Sequence, residues 1–220
     1  MPAAPPVGRL HVLTDFHFQQ RWSHADLARL AAAGGADTVQ FRHKTGTTRH
    51  RLVSLRPTVT ACTEAGVPCL VDDHLDLALA TGASGVHLGA LDLPVADARR
   101  VADRLGADGF VIGATATTAE AARDAEAAGA DYVGFGPVFP TASKASPARV
   151  KGLAGLAEAA AAVSIPVIAI AGITPERVGP CLDAGAWGVA VMTAVTTAVT
   201  TADDVTAAAA AFREAIDRAR

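Results

Sequence analysis

Between Tyr132 and Lys144 the chain reads YVGFGPVFPTASK, and its last four residues set two hydroxyls, Thr141 and Ser143, beside an ammonium, Lys144. Such donors suit phosphate oxygens. Gly134 and Gly136 allow a close backbone approach to a ligand, and Pro137 and Pro140 stiffen the exit. Taken alone, the stretch also describes a plain polar loop after a buried strand. Elsewhere, Gln40-Phe-Arg42-His43-Lys44 holds two further cations, Asp72-Asp73-His74 offers adjacent carboxylates, and His87-Leu-Gly89-Ala-Leu-Asp92 adds another. Arg42, Lys44 and Lys144 with Asp73 and Asp92 admit two readings. They pair with one another as a structural network, or they hold a polyanion together with Mg²⁺. Magnesium takes one or two carboxylates plus phosphate oxygens, and Arg and Lys neutralise the rest.

These side chains need a frame that brings them together, and a repeat supplies it. Gly-Ala-x-x-Val recurs from Gly35, Gly82, Gly129 and Gly185, with a one-residue-longer relative from Gly106. Each copy follows an Ala-rich helical stretch and precedes a short apolar run. Glycine ends a helix in the left-handed conformation, and the apolar run enters a buried strand. Strands are expected near 9–14, 38–42, 68–72, 85–88, 110–113, 132–135, 166–170 and 188–192. Helices fit near 24–33, 48–65, 74–81, 95–105, 118–128, 153–163, 175–184 and 202–219. Eight alternating units in 220 residues predict an α/β fold, a single (β/α)8 TIM barrel, with an open doubly wound sheet as the alternative. No run of Pro, Ser or charge divides the chain, so residues 1–220 read as one domain, compact against the ~250 residues typical of such barrels.

In this architecture chemistry sits at the carboxyl ends of the strands. Gln40, Arg42 and Lys44 close the second strand, Asp72 and Asp73 the third, and Thr115 the fifth. Gly172 follows the seventh strand, and Met192 with Thr193 ends the eighth. Those last two loops form the recurrent phosphate pocket of the fold, where backbone N–H groups meet a helix N-terminus. Two anion sites in one mouth point to the joining or separating of two phosphorylated fragments.

Composition excludes other classes. The net charge is −3 with no basic stripe and few aromatics, so nucleic acid is not an expected partner. No apolar run approaches the ~20 residues that span a membrane, and Met1-Pro-Ala-Ala-Pro-Pro6 is unlike a secretion leader, so the expected location is cytoplasmic. Cys62, Cys69 and Cys181 show no zinc spacing and read as buried thiols. Trp187 reads as filler between helix and strand, and the Thr-rich stretch 194–202 as a linker.

The chain resembles the thiamine-phosphate synthase family and its relative, the TenI group of thiazole tautomerases. The resemblance rests on VQFRHK ending at Lys44, Asp72-Asp73 ahead of LDLA, GVHLG with Asp92-Leu-Pro94, GFGPVFPTASK ending at Lys144, Gly172-Ile-Thr-Pro175 and GVAVMT ending at Thr193. It implies a Mg²⁺-dependent transferase joining a hydroxymethylpyrimidine diphosphate to a thiazole phosphate, with small-molecule partners and homo-oligomerisation left open. Under that resemblance Arg42, Lys44 and Lys144 hold the departing pyrophosphate, and Asp73 and Asp92 bind Mg²⁺. Gln40 and Thr115 orient the pyrimidine, with Asp72 beside them. Thr141, Ser143, Gly172, Met192 and Thr193 hold the thiazole phosphate.

Several positions depart from the family pattern. Asp72 stands where Asn is usual, His43 where Glu is usual, Ala90 and Leu91 where Gln and an acidic residue are usual, and Ala171 where the first Gly of a Gly-Gly-Ile motif is usual. Thr115 and Thr193 replace Ser, and 145–150 lacks the usual Pro- and Gly-rich continuation. Tautomerases carry a His just after the fifth strand, and Thr117 stands there instead, which counts against proton shuttling. His43, His74 and His87 remain as other proton carriers. A phosphate-binding paralogue without turnover is the reading from a different class.

Overall fold

Residues along each strand alternate between two environments, and that alternation builds the site. The computed structural model describes residues 7–15, 19–141, 149–196 and 201–219. Eight parallel strands close into a barrel in sequence order: β1 (Leu10–Asp15), β2 (Thr38–Arg42), β3 (Cys69–Asp72), β4 (Gly85–Leu88), β5 (Val111–Ala116), β6 (Tyr132–Phe135), β7 (Val167–Ile170) and β8 (Gly188–Val191). Helices α1 (His24–Ala33), α2 (Thr48–Ala65), α3 (Leu75–Thr81), α4 (Val95–Arg104), α5 (Ala119–Ala127), α6 (Gly152–Ala162) and α7 (Pro175–Asp183) connect them. A short α8 (Thr193–Thr196) and the closing α9 (Ala202–Arg218) follow β8. The open-sheet alternative is thereby removed.

The repeat glycines behave as their sequence context predicts. Gly35, Gly82, Gly129 and Gly185 have φ of 90°, 69°, 94° and 91°. Each lets the chain leave a helix by a turn that an L residue resists. Odd and even strand positions then part. Val12, Val39, Val71, Val86, Ile112, Val133, Ala169 and Val189 face the helices and form two large apolar clusters between sheet and helix layer. Leu13, Leu70, Val111, Tyr132, Ile168 and Ala190 fill the barrel interior. With period 2, Gln40, Arg42, Asp72, His87 and Thr115 fall on that inner face.

Three expectations change. Strand β5 runs to Ala116, so Thr115 lies inside the barrel wall rather than beyond it. Residues 194–196 of the expected linker are helical, because small residues after β8 turn at once into backbone hydrogen bonds from Val195 and Thr196 to the Met192 carbonyl. Trp187 packs with the interior cluster, its Nε1 donating to the Val7 carbonyl at 3.1 Å and its ring 4.7 Å below the Arg9 guanidinium. It plugs the amino end of the barrel instead of wedging a helix against a strand.

Candidate active site

Strand β2 aims Gln40 and Arg42 inward and delivers Lys44 to the rim, where all three meet the end of β3. Gln40 Nε2 donates to Asp72 Oδ1 at 2.8 Å. Lys44 Nζ lies 2.6 Å from Asp72 Oδ2 and 2.5 Å from Asp73 Oδ2. Arg42 pairs with the buried Asp15 and brings Nε to 3.7 Å from Asp72. Of the groups in the first of the two readings, Lys44 thus pairs with Asp73, while Arg42 turns to Asp15 and Asp72. Burial opposes the Lys44 charge, but Asp72 and Asp73 outweigh it and hold the ammonium above its ordinary range.

Asp73 and Asp92 meet from β3 and β4. Asp73 has φ 67°, a left-handed backbone that costs a non-glycine residue about 1–2 kcal/mol, and its N–H donates to the His87 carbonyl at 2.9 Å. Asp92 accepts from the Gly89 N–H at 2.7 Å. Burial and the Asp73 charge push the Asp92 carboxyl above its usual range. Burial also acts on Asp73, but hydrogen bonding and charge from Lys44 prevail and hold it low. Two carboxylates forced together are relieved by a proton or by a cation, and an all-oxygen pair suits a hard divalent ion. Among the described residues no group of three or more His, Cys, Asp or Glu is arranged to hold a metal. Such an ion would therefore draw its other ligands from substrate and water.

A cavity of about 340 Å³ opens beside this rim. Gln40, Arg42, Thr115, Thr141, Gly172, Met192 and Thr193 all line it, so both anticipated anion sites reach one space. Ser143 and Lys144 lie outside the described residues. On the inner wall, His87 Nδ1 sits 2.8 Å from the Tyr132 hydroxyl and Nε2 2.9 Å from Thr115 Oγ1. Burial, aided by Asp72, raises the Tyr132 phenol far above its ordinary value, so it stays protonated. His11, fully enclosed, has Nε2 3.2 Å from the Gly8 carbonyl, and burial pushes its pKa down to about 4. Gly134 and Gly136 serve close packing: an added Cβ would stand 3.0 Å from His87 Cε1 or 2.5 Å from the Ile170 carbonyl.

Neither His43 nor His74 is set as a proton carrier in this cavity. His43 is buried, with Nδ1 3.0 Å from His24 Nε2, and His24 Nδ1 lies 2.7 Å from Thr14 Oγ1. Burial and the neighbouring His43 bring His24 down to about 4. His74 sits just before α3, 3.8 Å from Asp76.

The phosphate side is built from left-handed backbone. Ala171 has φ 81° and Gly172 φ 65°. A Cβ on Gly172 would come within 2.5 Å of the Pro140 carbonyl and 2.8 Å of Phe139 Cβ. Phe139 N donates to the Ala171 carbonyl at 3.1 Å, which ties the β6 loop to the β7 loop. Arg177, on the first turn of α7, donates to the Gly172 carbonyl at 2.6 Å and stacks 4.5 Å over the Phe139 ring.

Sequence reasoning passed over His11, His24, Tyr132 and Arg177. Inward register at period 2 marks His11 and Tyr132. Nothing local marks His24 or Arg177, whose partners come from other elements.

A family model described as thiamine monophosphate synthase matches residues 10–195. The thiamine-phosphate synthase of Salinibacter ruber is 55% identical over 215 residues, covering 98% of this chain and 91% of the relative. That of Methanoculleus marisnigri is 47% identical over 211 residues, 96% of each chain. The solved thiamine phosphate pyrophosphorylase from Pyrococcus furiosus is 35% identical, covers 98% of both chains and superposes with a TM-score of 0.85. With the closed barrel, the motifs at its mouth and near full-length identity in agreement, the chain belongs to the thiamine monophosphate synthase family.

Proposed function

We infer that the chain is a thiamine-phosphate synthase, a transferase that joins 4-amino-2-methyl-5-hydroxymethylpyrimidine diphosphate to thiazole phosphate and releases pyrophosphate. The supporting observation is one cavity shared by two kinds of anion-binding equipment. Arg42 belongs to the first kind, with Lys44 and the Asp73–Asp92 pair on the adjoining rim. Gly172 and Thr193 belong to the second.

Asp73 and Asp92 would hold Mg²⁺, which would supply positive charge to the departing pyrophosphate. Arg42, Lys44 and Lys144 take the rest of that charge. For Lys44 this means exchanging Asp72 and Asp73 for substrate oxygens. Gln40, held by Asp72, and Thr115, held by His87, orient the pyrimidine ring. The carbon–oxygen bond breaks with its electron pair leaving on pyrophosphate, and the thiazole nitrogen donates its lone pair to the pyrimidine-stabilised cation. Thr141, Ser143, Gly172, Met192 and Thr193 keep that nitrogen in place by holding the thiazole phosphate.

The step needs leaving-group charge neutralised and water kept away, and no proton moves at the reacting carbon. Leu13, Ile168, Ile170 and Ile173 supply an apolar wall to the same cavity. A tautomerase would need a proton carrier where Thr117 lines the cavity, and both nitrogens of His87 are engaged by Tyr132 and Thr115. The substrates are small charged molecules, in keeping with a cytoplasmic enzyme.

The test is a discontinuous assay with both substrates and Mg²⁺, reading thiamine phosphate after oxidation to its fluorescent product. Turnover that a chelator removes and Mg²⁺ restores is expected, and Lys144→Ala should abolish it. Folded protein with no turnover, or Lys144→Ala at wild-type rate, would overturn the assignment.

A further inference from the structure

Ala171 and Gly172 carry consecutive left-handed backbone angles, of which only the glycine is at ease there. Strain of this kind persists where surrounding contacts over-determine it. Those contacts are visible. The Ala171 carbonyl accepts from Phe139 N at 3.1 Å, and the Ile170 carbonyl accepts from Val138 N at 3.0 Å. The Gly172 carbonyl accepts from Arg177 Nη1 at 2.6 Å, while the same guanidinium covers the Phe139 ring at 4.5 Å. Arg177 therefore touches both strips of chain that converge on the phosphate side, the β6 loop through Phe139 and the β7 loop through Gly172. It sits on the first turn of α7, where its own N–H donates to the Thr174 carbonyl at 2.9 Å. The helix thus offers it a fixed base.

We propose that Arg177 is a positioning residue for the thiazole-phosphate subsite: it clamps Gly172 to Phe139 and so keeps the strained Ala171–Gly172 turn formed before substrate arrives. The proposal deepens the synthase reading and rests on it for the identity of the phosphate. Its chemistry has two parts that a single cation combines. The planar guanidinium stacks on an aromatic face and donates along its edge to a carbonyl at the same time, which an ammonium does less well. The ring and the carbonyl come from different loops, so removing the guanidinium leaves only the two backbone hydrogen bonds, Val138 N to the Ile170 carbonyl and Phe139 N to the Ala171 carbonyl, to hold one against the other. With the clamp gone, Ala171 relaxes toward the right-handed region, and the backbone N–H groups beside Gly172 lose their aim. The clamp lies on the β6–β7 side of the mouth, away from Gln40, Lys44 and Asp73, so the pyrimidine diphosphate end keeps its contacts.

The experiment has a binding arm and a kinetic arm. Calorimetry of thiazole phosphate alone, without the second substrate, reads the subsite independently of turnover. Arg177→Ala should weaken that affinity about tenfold, the size of one lost preorganising contact set. In the assay it should raise KM for thiazole phosphate by a similar factor, leaving KM for the diphosphate unchanged. Adding Ala171→Gly to Arg177→Ala should recover most of the affinity, because glycine holds the left-handed angle without help. Arg177→Lys should fall between wild type and Arg177→Ala, and it carries the test if the alanine variant does not fold.

Equal weakening of both substrates, unaltered thiazole phosphate affinity in Arg177→Ala, or no recovery with Ala171→Gly would each overturn the proposal. A wild-type protein that binds thiazole phosphate and loses it on Arg177→Ala, yet makes no thiamine phosphate, would sink the synthase reading and leave the clamp standing. Wild-type turnover with no response to Arg177→Ala would do the reverse.

Discussion

Asp72 joins three other side chains of the site. Its carboxylate accepts from Gln40, sits 2.6 Å from Lys44 and lies 3.7 Å from Arg42 Nε. Asn is usual here in the family that the chain resembles, and a third carboxylate near a diphosphate would repel it were it not already paired. Those pairs hold two cations that we propose meet the diphosphate, and an ion pair at a partly exposed site is worth up to about 1 kcal/mol, or roughly fivefold. Asp72→Asn keeps a polar group within reach of Gln40 while releasing Lys44 and Arg42. Arg42 retains Asp15 and Lys44 retains Asp73, so no charge is stranded. KM for the pyrimidine diphosphate should therefore fall up to about fivefold, with the melting temperature nearly unchanged. A rise in that KM would mean that the Asp72 charge itself, through Gln40, is what orients the ring.

At the scale of the elements, closeness between β5 and β6 decides what the inner wall can hold. A Cβ on Gly113 would stand 2.2 Å from Cε1 and Cζ of the Tyr132 ring. Tyr132 has no room to yield, because its hydroxyl is engaged by His87 and its ring meets His11 edge-on at 5.4 Å. Gly113→Ala should cost about 1–3 kcal/mol by overpacking, lowering the melting temperature by roughly 5 °C, which a thermal melt followed by circular dichroism reads. An unchanged melt would mean that the ring swings aside freely. Gly113 is also a fair measure of what can be read from residues alone. The joints at Gly35, Gly82, Gly129 and Gly185 were legible, since a helix-ending glycine and the strand after it are a local signal. So were Gln40, Arg42 and Gly172, whose placement follows from strand ends. The Tyr132–His87–Thr115 chain was not, because it joins β6, β4 and β5 through a register that only barrel closure sets. Nor was the Trp187 plug, or the meeting of Arg177 with Phe139 across two loops.

The whole molecule pays for its polar interior in acid. His11 and His24 sit buried with pKa values brought from 6.5 to about 4, by burial first and then by neighbouring histidines, His87 for one and His43 for the other. The unfolded chain takes up protons on both as pH falls through 6.5, while the folded protein refuses them until about 4. Stability is therefore complete above 6.5, is lost progressively between 6.5 and 4, and loses nothing more from these two groups below that window. Asp92, held above its usual range, works in the opposite sense and offsets part of the loss, whereas the low-held Asp73 contributes its own loss only below the ordinary carboxylate value of 3.8. The melting temperature should thus fall by about 10 °C between pH 7 and pH 4.5, a slope that two strongly depressed histidines can supply in a chain of this size. His24→Asn keeps a hydrogen-bonding group for Thr14 and removes one of the two protons, so it should flatten the slope by about half over the same range. A wild-type melting temperature that stays level from pH 7 to 4.5 would mean that both imidazoles charge where they stand, with water reaching His11 inside the barrel and His24 in the layer between α1 and the sheet. The interior beside the active site would then be a hydrated polar core, and the dry wall invoked to protect the pyrimidine cation would need a different source.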